Sequence, residues 1–218
     1  MSEQREDLGF DPDALRAKYR EERDKRVRED ANEQYIEVKG DFSHYIDDPY
    51  LDAALEREPL TDEVDVVVIG GGFGGLLSAA RLREAGVERL RVIEKGGDFG
   101  GTWYWNRYPG ARCDIPSLQY SYQFSPELEQ EWKWKERYAP QPEIMAYAKH
   151  VVERFELAND IQFNTRVAAA HFDEDNSRWS VTTEAGDVIS ARFCVMATGC
   201  LSSANDPEFP GREKFTGG

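Results

Sequence analysis

The stretch from Val64 to Glu94, VDVVVIGGGFGGLLSAARLREAGVERLRVIE, constrains the fold more than any other part of the chain. A β-branched run at 66–69 predicts a strand that is buried on both faces. The three glycine places of a G-x-G-x-x-G motif follow, at Gly70, Gly72 and Gly75. Apolar residues at helical spacing then continue to Gly86, and a second predicted strand, 90–93, ends in Glu94. This order predicts a βαβ unit that binds a dinucleotide, against the alternative of an ordinary glycine-rich turn.

Each residue type in this motif has a physical role. Gly70 permits a tight turn, Gly72 lets a pyrophosphate approach the backbone, and Gly75 lets the helix pack close to the strand. The helix N-terminus offers free N–H groups and a positive dipole end to phosphates. Glu94 can accept hydrogen bonds from a ribose, and an acidic residue there favours FAD or NAD over NADP at this site.

The composition bounds the class of protein. The 218 residues suffice for one large or two small domains, and 40% are hydrophobic, which supports a core. A formal charge of −15 argues against nucleic acid or an anionic membrane surface as a partner, and serves solubility. No apolar run approaches the ~20 residues that span a bilayer, and the polar N-terminus is no signal peptide. Three cysteines without metal-ligand spacing, Cys113, Cys194 and Cys200, predict no metal site and reduced thiols in a cytoplasmic protein.

Residues 1–62 are predicted to form an N-terminal extension to the main domain, 63–218. Asp11 and Pro12 predict a helix start, and the helix would run to about residue 30 with a thin apolar face. Aromatic residues and a turn signal at Asp48–Pro49 follow. The extension is either a lid or clamp over the main domain, or a packing strap without chemistry, and its charge runs favour the strap.

The second half of the chain predicts further α/β structure. A helix is expected over 142–155 and a strand over 161–167. Three candidate strands separated by turns, 168–172, 178–183 and 188–193, predict an antiparallel meander. A separate sheet strand is expected from Phe193 to Ala197, followed by Thr198 and Gly199, where small residues permit close backbone approach to a cofactor. The predicted fold is a Rossmann-like α/β domain with a parallel sheet, helices, a meander and a helical N-terminal extension.

Residues 100–114, GGTWYWNRYPGARCD, are denser in aromatic residues than a surface loop needs. They are either an aromatic mini-core with an exposed ion pair between Arg112 and Asp114, or the wall of a flat ligand's pocket. This stretch resembles the signature region of the Baeyer–Villiger monooxygenases, a family of flavoprotein monooxygenases. The stretches 120–127, 131–134 and 138–144 resemble the same family, and the extension is more weakly similar to that of a subset acting on bulky ketones.

The resemblance implies an FAD-binding domain of the two-dinucleotide-binding flavoprotein type, with NADPH as second cofactor. It implies that Asp114 positions an arginine over the flavin, and Asp114 is therefore the predicted catalytic residue. The residues that it implies for cofactor binding are Gly70, Gly72, Phe73, Gly75, Glu94, Lys95, Gly101, Thr102, Trp103, Trp105, Arg112, Cys113, Asp114, Tyr120, Val167, Ala197, Thr198 and Gly199.

For function, the resemblance implies NADPH- and O2-dependent oxidation of a ketone to an ester or lactone through a C4a-peroxyflavin. Phe215 and Gly217 are spaced like the opening of the family fingerprint F-x-G-x-x-x-H-x-x-x-W. We therefore expect an incomplete domain that ends before the NADPH site and is inactive alone. Three alternatives stay open: an N- or S-oxygenating flavin monooxygenase, a catalytically incomplete FAD-binding module, and an NAD-dependent dehydrogenase.

Overall fold

A computed structural model describes residues 9–27, 35–37, 47–51, 57–201, 205–207, 210–211 and 214–216. The helices are α1 (Pro12–Asp24), α2 (Phe73–Glu84), α3 (Thr102–Trp105), α4 (Pro126–Glu131) and α5 (Gln141–Arg154), with a 3-10 helix at Leu157–Asp160. The strands are β1 (Tyr35–Glu37), β2 (Thr61–Ile69), β3 (Leu90–Ile93), β4 (Ile161–Gln162), β5 (Val167–Asp173), β6 (Arg178–Thr183), β7 (Val188–Met196) and β8 (Asn205–Pro207). The chain forms two compact units, one of residues 45–203 and one of residues 1–44 with 204–218.

The larger unit is built on a six-stranded mixed sheet in the order β4-β3-β2-β7-β6-β5. The first four strands are parallel, with Val66 of β2 opposite Leu90 of β3 and Phe193 of β7. Strands β7, β6 and β5 are antiparallel neighbours. The predicted α/β class, with a parallel sheet and a three-stranded meander, is confirmed.

Both faces of β2 are buried, which is why its second half reads as a continuous apolar run. Val66 and Val68 pack with helices α2 and α5, through side chains such as those of Leu76 and Val151. The alternate residues, including Val67, pack on the opposite face with the meander. Because successive side chains of a strand point to opposite faces, a β-branched residue is favourable at every position.

Strand β7 corrects the prediction of two separate strands at 188–193 and 193–197. It is one strand along which β2 pairs continuously, from Thr61 opposite Val188 to Ile69 opposite Met196. Strand β6 pairs only with the first part of β7, where Trp179 lies opposite Ala191. The sequence between Val188 and Met196 contains no glycine, proline, asparagine or aspartate that would favour a turn and interrupt the extended backbone.

The strand predicted over 161–167 is also wrong in its extent, because β4 ends at Gln162 and β5 starts at Val167. Asn164 adopts a left-handed conformation (φ 51°), which turns the chain. The amides of Asn164 and Thr165 then donate to the carbonyl oxygens of Gly96 and Glu94. The apolar alternation therefore spans two short extended pieces that are separated by a turn.

The smaller unit contains α1 and a two-stranded antiparallel pair, β1 with β8. The predicted cap is confirmed: the Asp11 side chain accepts hydrogen bonds from the amides of Asp13 and Ala14, and Pro12 occupies the first turn. The helix ends at Asp24, earlier than predicted, and none of its residues is buried. With no face packed inside, little stabilises further turns. The domain division at residue 62 stays a prediction.

Candidate functional site

A cavity of about 610 Å³ opens where β2, β3 and β7 end at the carboxyl edge of the sheet. In open α/β sheets, ligands bind in the crevice outside the carboxyl ends of the strands. The residues that line the cavity are Ile69, Gly70, Gly72, Phe73, Gly74, Ile93, Glu94, Lys95, Gly100, Gly101, Thr102, Trp103, Trp105, Asn106, Tyr120, Thr165, Arg166, Val167, Ala197, Thr198, Gly199, Cys200 and Leu201.

The turn between β2 and α2 leaves no room for side chains. Gly70 has a φ of +108°, and a Cβ on it would lie 2.4 Å from the carbonyl oxygen of Ala197. A Cβ on Gly75 would lie 1.8 Å from the carbonyl oxygen of Gly70. Helix α2 therefore starts directly against the ends of β2 and β7. The N-cap residue that precedes α2, Gly72, provides no side-chain hydrogen bond, so the first-turn amides are available as donors at the cavity edge.

Glu94 is the acid at the end of β3, and its side chain is buried at 4% exposure. Oε2 accepts a hydrogen bond of 2.6 Å from the amide of Gly71, and Oε1 accepts one of 2.7 Å from the amide of Gly96. A carboxylate has about four acceptor sites, so two remain for hydroxyl groups of a ligand. Glu94 therefore joins the two glycine-rich segments that border the cavity, in addition to lining it.

The loop 96–101 borders the cavity beside the glycine turn, and its Gly100 and Gly101 line it. The amide of Gly100 donates to the carbonyl oxygen of Gly71. Gly72 and Gly101 face each other, and a Cβ on Gly101 would lie 2.9 Å from the Cα of Gly72. Because Gly72, Gly100 and Gly101 have no side chains, backbone forms this edge of the cavity, which suits the close approach of a diphosphate.

Aromatic side chains form the far wall of the cavity. The indole Nε1 of Trp103 donates to the hydroxyl of Tyr120 at 2.6 Å, and the two rings are edge to face with centroids 5.7 Å apart. Phe73 lies against Tyr120 with centroids 5.2 Å apart. Burial raises the pKa of the Tyr120 hydroxyl, as do Cys113 and Asp114, while the Trp103 hydrogen bond lowers it. The wall is thus apolar and ordered, as a flat ring system requires.

Lys95 and Arg166 bring positive charge to the cavity lining. The ammonium of Lys95 lies 5.0 Å from the centroid of the Trp105 ring. Burial lowers the pKa of Lys95, whereas the charge of Glu94 raises it. Arg166 also pairs with Glu184 at 3.4 Å. These two cations can offset the negative charge of a diphosphate.

Most of the residues predicted for cofactor binding line this cavity, and four do not. Gly75 lies behind the glycine turn, where it permits the packing described above. Arg112, Cys113 and Asp114 lie on a neighbouring segment, in which Arg112 pairs with Pro140 as an isolated β-bridge. Cys113 is buried, and Asp114 is exposed. The roles predicted for these residues, including the catalytic role of Asp114, stay predictions.

The sequence leaves open an exposed ion pair between Arg112 and Asp114, but Arg112 pairs with Glu136 instead. Nη1 of Arg112 lies 3.2 Å from Oε2 of Glu136 and also donates to the carbonyl oxygen of Tyr138. Residue spacing alone could not identify Glu136, because its proximity results from the pairing of two distant segments.

Several residues of the cavity were missing from the sequence prediction, among them Gly74, Gly100, Asn106, Thr165 and Arg166. Gly71 was missed as the partner of Glu94. The glycine doublets at 74–75 and 100–101 were a usable signal for Gly74 and Gly100. Nothing local marked Thr165 and Arg166, which the turn after β4 brings to the site.

The residues that the structure describes contain no group of histidine, cysteine and acidic side chains placed to hold a metal ion. None of the described helices has the length and apolar character needed to cross a bilayer.

Comparison with known proteins agrees with this geometry. Residues 67–217 match the family model described as pyridine nucleotide-disulphide oxidoreductase. A Baeyer–Villiger monooxygenase of Streptomyces coelicolor is 46% identical over 208 residues, which cover 93% of this chain and 33% of the relative. A phenazine N-monooxygenase of Lysobacter antibioticus is 44% identical over 153 residues, covering 70% of this chain and 28% of the relative.

Solved structures are similar over the same region. A steroid monooxygenase bound to NADP is 56% identical with a TM-score of 0.65, covering 71% of this chain and 30% of that one. The protein OTEMO in complex with FAD and NADP is 40% identical with a TM-score of 0.64, covering 70% and 29%. The chain spans about a third of the length of the curated relatives it matches. The resemblance to Baeyer–Villiger monooxygenases is confirmed, and the chain belongs to the pyridine nucleotide-disulphide oxidoreductase family.

Proposed function

We propose that the cavity binds FAD, and that the protein is an NADPH- and O2-dependent monooxygenase that oxidises a ketone to an ester or lactone. The observation that carries this proposal is the buried Glu94 carboxylate, held by backbone amides at the end of β3 beside an uncapped helix N-terminus. Relatives and solved structures named as ketone or steroid monooxygenases support the choice of reaction.

The shape of the site fits a dinucleotide with an unphosphorylated adenosine ribose. The first-turn amides of α2 would hold the diphosphate, and the remaining acceptor sites of Glu94 would hold the ribose hydroxyls. A 2′-phosphate would meet the Glu94 charge at close range, which excludes NADP from this site on electrostatic grounds. Gly70, Gly72 and Gly101 line the cavity without side chains, so a diphosphate could approach the backbone closely.

The aromatic wall would receive the flavin end of the cofactor. Phe73, Trp103 and Tyr120 are held in place by their mutual ring contacts and by the hydrogen bond from Trp103 to Tyr120. When bound, FAD would supply the electron transfer and oxygen activation that no amino-acid side chain provides. The contribution of this chain would be to bind the cofactor, to orient it, and to keep water from its buried parts.

Asp114 is the acid that we propose to act near the flavin. It is exposed, and its charge contributes to the raised pKa of Tyr120, a residue of the aromatic wall. This electrostatic coupling supports a location close to the wall. A carboxylate here could orient a cationic side chain toward the reacting centre.

Two experiments test the proposal. After incubation with FAD and removal of free FAD by gel filtration, the purified 218-residue chain should retain flavin absorbance, and a chain that folds but leaves FAD free contradicts the proposal. The enzyme that carries this chain should convert a ketone to the ester or lactone with NADPH and O2. Product analysis by mass spectrometry should show the added oxygen beside the former carbonyl.

N-oxygenation of an aromatic amine is the second candidate, and the similarity to a phenazine N-monooxygenase favours it. Its cofactor site would be the same, so only the product separates the two reactions. Parallel assays with a ketone and with a phenazine decide between them: an N-oxide without any ester product supports the second candidate. We also propose a cytoplasmic location, because the three cysteines have free thiols.

A further inference from the structure

Residues Asp47–Leu51, here called the brace, contact the loop that borders the cavity, although they precede β2 in the chain. The Asp48 carboxylate accepts three hydrogen bonds. Oδ2 accepts from the amide of Gly97 at 2.8 Å and from the hydroxyl of Tyr104 at 2.6 Å, and Oδ1 accepts from the amide of Tyr50 at 2.9 Å. One side chain thus joins the brace to Gly97 in the loop 96–101 and to Tyr104 in the helix α3 that follows it.

The other residues of the brace strengthen this attachment. The hydroxyl of Tyr50 donates to the carbonyl oxygen of Trp105 at 3.1 Å. The guanidinium of Arg107 lies 3.7 Å from the ring centroid of Tyr50 and 4.7 Å from that of Tyr104, so it is placed between them. Leu51 covers Gly97 so closely that a Cβ there would lie 2.4 Å from its Cδ2. The apolar packing of Leu51 acts on the loop 96–101, whereas the hydrogen bond of Tyr50 and the cation–π contacts of Arg107 act on α3 and the residues beside it.

The loop needs such support because it is rich in glycine. Residues 96–101 include Gly96, Gly97, Gly100 and Gly101, and glycine loses more conformational freedom on ordering than any other residue. The same loop donates to Glu94 and to the carbonyl oxygen of Gly71, and its Gly100 and Gly101 line the cavity, so its conformation determines the shape of this edge of the cavity. Burial, and then the Asp48 bond, raises the pKa of Tyr104 to about 12.

We propose that Asp48 is a positioning residue for the dinucleotide: it holds the loop 96–101 in the conformation that closes on the bound cofactor and slows its release. This inference rests on the proposed binding of FAD. It assigns residues 47–51 of the N-terminal extension a role in cofactor retention. Because the brace contacts the loop from outside the cavity, it acts through Gly97 and Tyr104 and does not touch the ligand.

The test compares FAD release from variants of the 218-residue chain loaded with FAD. D48A removes both carboxylate oxygens and with them all three hydrogen bonds. D48N keeps one oxygen that can accept from Gly97 and Tyr104, and Y104F removes one donor while it leaves the buried ring in place. D47A is the matched control, since Asp47 is an exposed acid in the same segment. The readouts are the FAD dissociation rate, from recovery of flavin fluorescence on dilution, and the melting temperature of the apoprotein.

We expect D48A to release FAD about tenfold faster than wild type, the factor that corresponds to loss of roughly one hydrogen bond to a charged group. D48N and Y104F should lie between D48A and wild type, and D47A should equal wild type. A merely structural role would lower the melting temperature of the apoprotein and leave the release rate unchanged.

The outcomes separate the two proposals. If wild type binds FAD and all three variants release it at the wild-type rate, Asp48 has no positioning role and FAD binding stands. Equal acceleration in D47A and D48A also overturns the role of Asp48. If D48A does not fold, the rates of D48N and Y104F decide. If wild type itself binds no FAD, the proposed function fails and this inference fails with it.

Discussion

The Oε2 atom of Glu94 lies 2.6 Å from the amide nitrogen of Gly71, so the acid at the end of β3 is bonded to the glycine turn that follows β2. Its other oxygen is bonded to the amide of Gly96. The residue predicted to bind a ribose therefore also holds together the two glycine-rich segments that border the cavity, one at Gly71 and one at Gly96. Cofactor affinity and local stability should depend on the same carboxylate.

We expect E94Q to weaken FAD binding and to lower the free energy of unfolding by about 2 kcal/mol. The amide of glutamine has one acceptor oxygen, so one of the Gly71 and Gly96 amides loses its buried partner. Urea unfolding and FAD titration measure the two effects. E88Q is the control, because Glu88 is exposed and its substitution should change stability by less than about 0.5 kcal/mol. Equal behaviour of the two variants would contradict the role of Glu94.

Adjacent glycines of α2 should respond oppositely to alanine. A Cβ on Gly75 would lie 1.8 Å from the carbonyl oxygen of Gly70, so G75A must separate α2 from β2. A Cβ on Gly74 would meet only the Cβ of Ala197, at 3.9 Å. We expect G75A to lower the melting temperature strongly, and G74A to leave it equal or raise it, because alanine is favoured in helices by roughly 0.5–1 kcal/mol. A stable G75A would mean that the helix does not pack this closely.

The contribution of Asp187 to the free energy of unfolding should decrease as the pH falls into the acid range. It is fully buried, and Arg57 donates to both of its oxygens, at 2.6 and 2.5 Å. The pKa of Asp187 is held well below its usual value, mainly by the hydrogen bonds from Arg57. The Leu60 amide and the Thr183 hydroxyl lower this pKa further, whereas burial raises it. The stabilisation is therefore complete above the unfolded-state pKa of about 4 and is lost as the pH falls toward the lowered folded-state pKa.

D187N should consequently cost about 3–5 kcal/mol at pH 7, because it leaves the Arg57 charge without its partner, and less at pH 3. The measurement is urea unfolding at both pH values. D65N serves as the comparison, since Asp65 pairs with Arg89 at the surface and such pairs contribute about 0–1 kcal/mol. A cost for D187N that does not change with pH would exclude this assignment.

Y120F should disturb the aromatic wall. Trp103 is buried at 8% exposure, and its indole N–H would lose its acceptor at a cost of about 1–3 kcal/mol. We expect weaker FAD binding and a shifted visible spectrum of the bound flavin. Y138F, at an exposed tyrosine, should leave the spectrum unchanged. An unaltered spectrum in Y120F would place the flavin away from this wall.

D114A separates a chemical role from a structural one. Asp114 is exposed, so its removal should change stability by less than about 0.5 kcal/mol. If it positions a cation at the reacting centre, kcat of the enzyme that carries this chain should fall by roughly 10²-fold. D175A, at an exposed acid in the turn between β5 and β6, should leave kcat unchanged. Wild-type turnover in D114A would remove it from the proposed site.

The sequence alone was sufficient to predict a strand, a glycine turn, a helix and a second strand that ends in an acid. This order of elements also predicted the cavity at the ends of β2 and β3. These features are local: residue periodicity and the absence of a side chain act over a few positions. Local patterns were less reliable where one run of residues suits several conformations. The continuous β7 and the turn at Asn164 are the two cases, because strand boundaries depend on which neighbour supplies the hydrogen bonds.

Only the tertiary structure decided the partners of isolated polar residues. Asp48 meets Gly97 across 49 positions of sequence, and Arg57 meets Asp187 across 130. No periodicity encodes such pairs, since they form when the sheet brings distant segments together and a buried charge requires a partner. The position of the cavity at the carboxyl edge of the sheet could be predicted from the local pattern around Gly70. The attachment of the loop 96–101 to Asp48 could not, because it results from the packing of the whole domain.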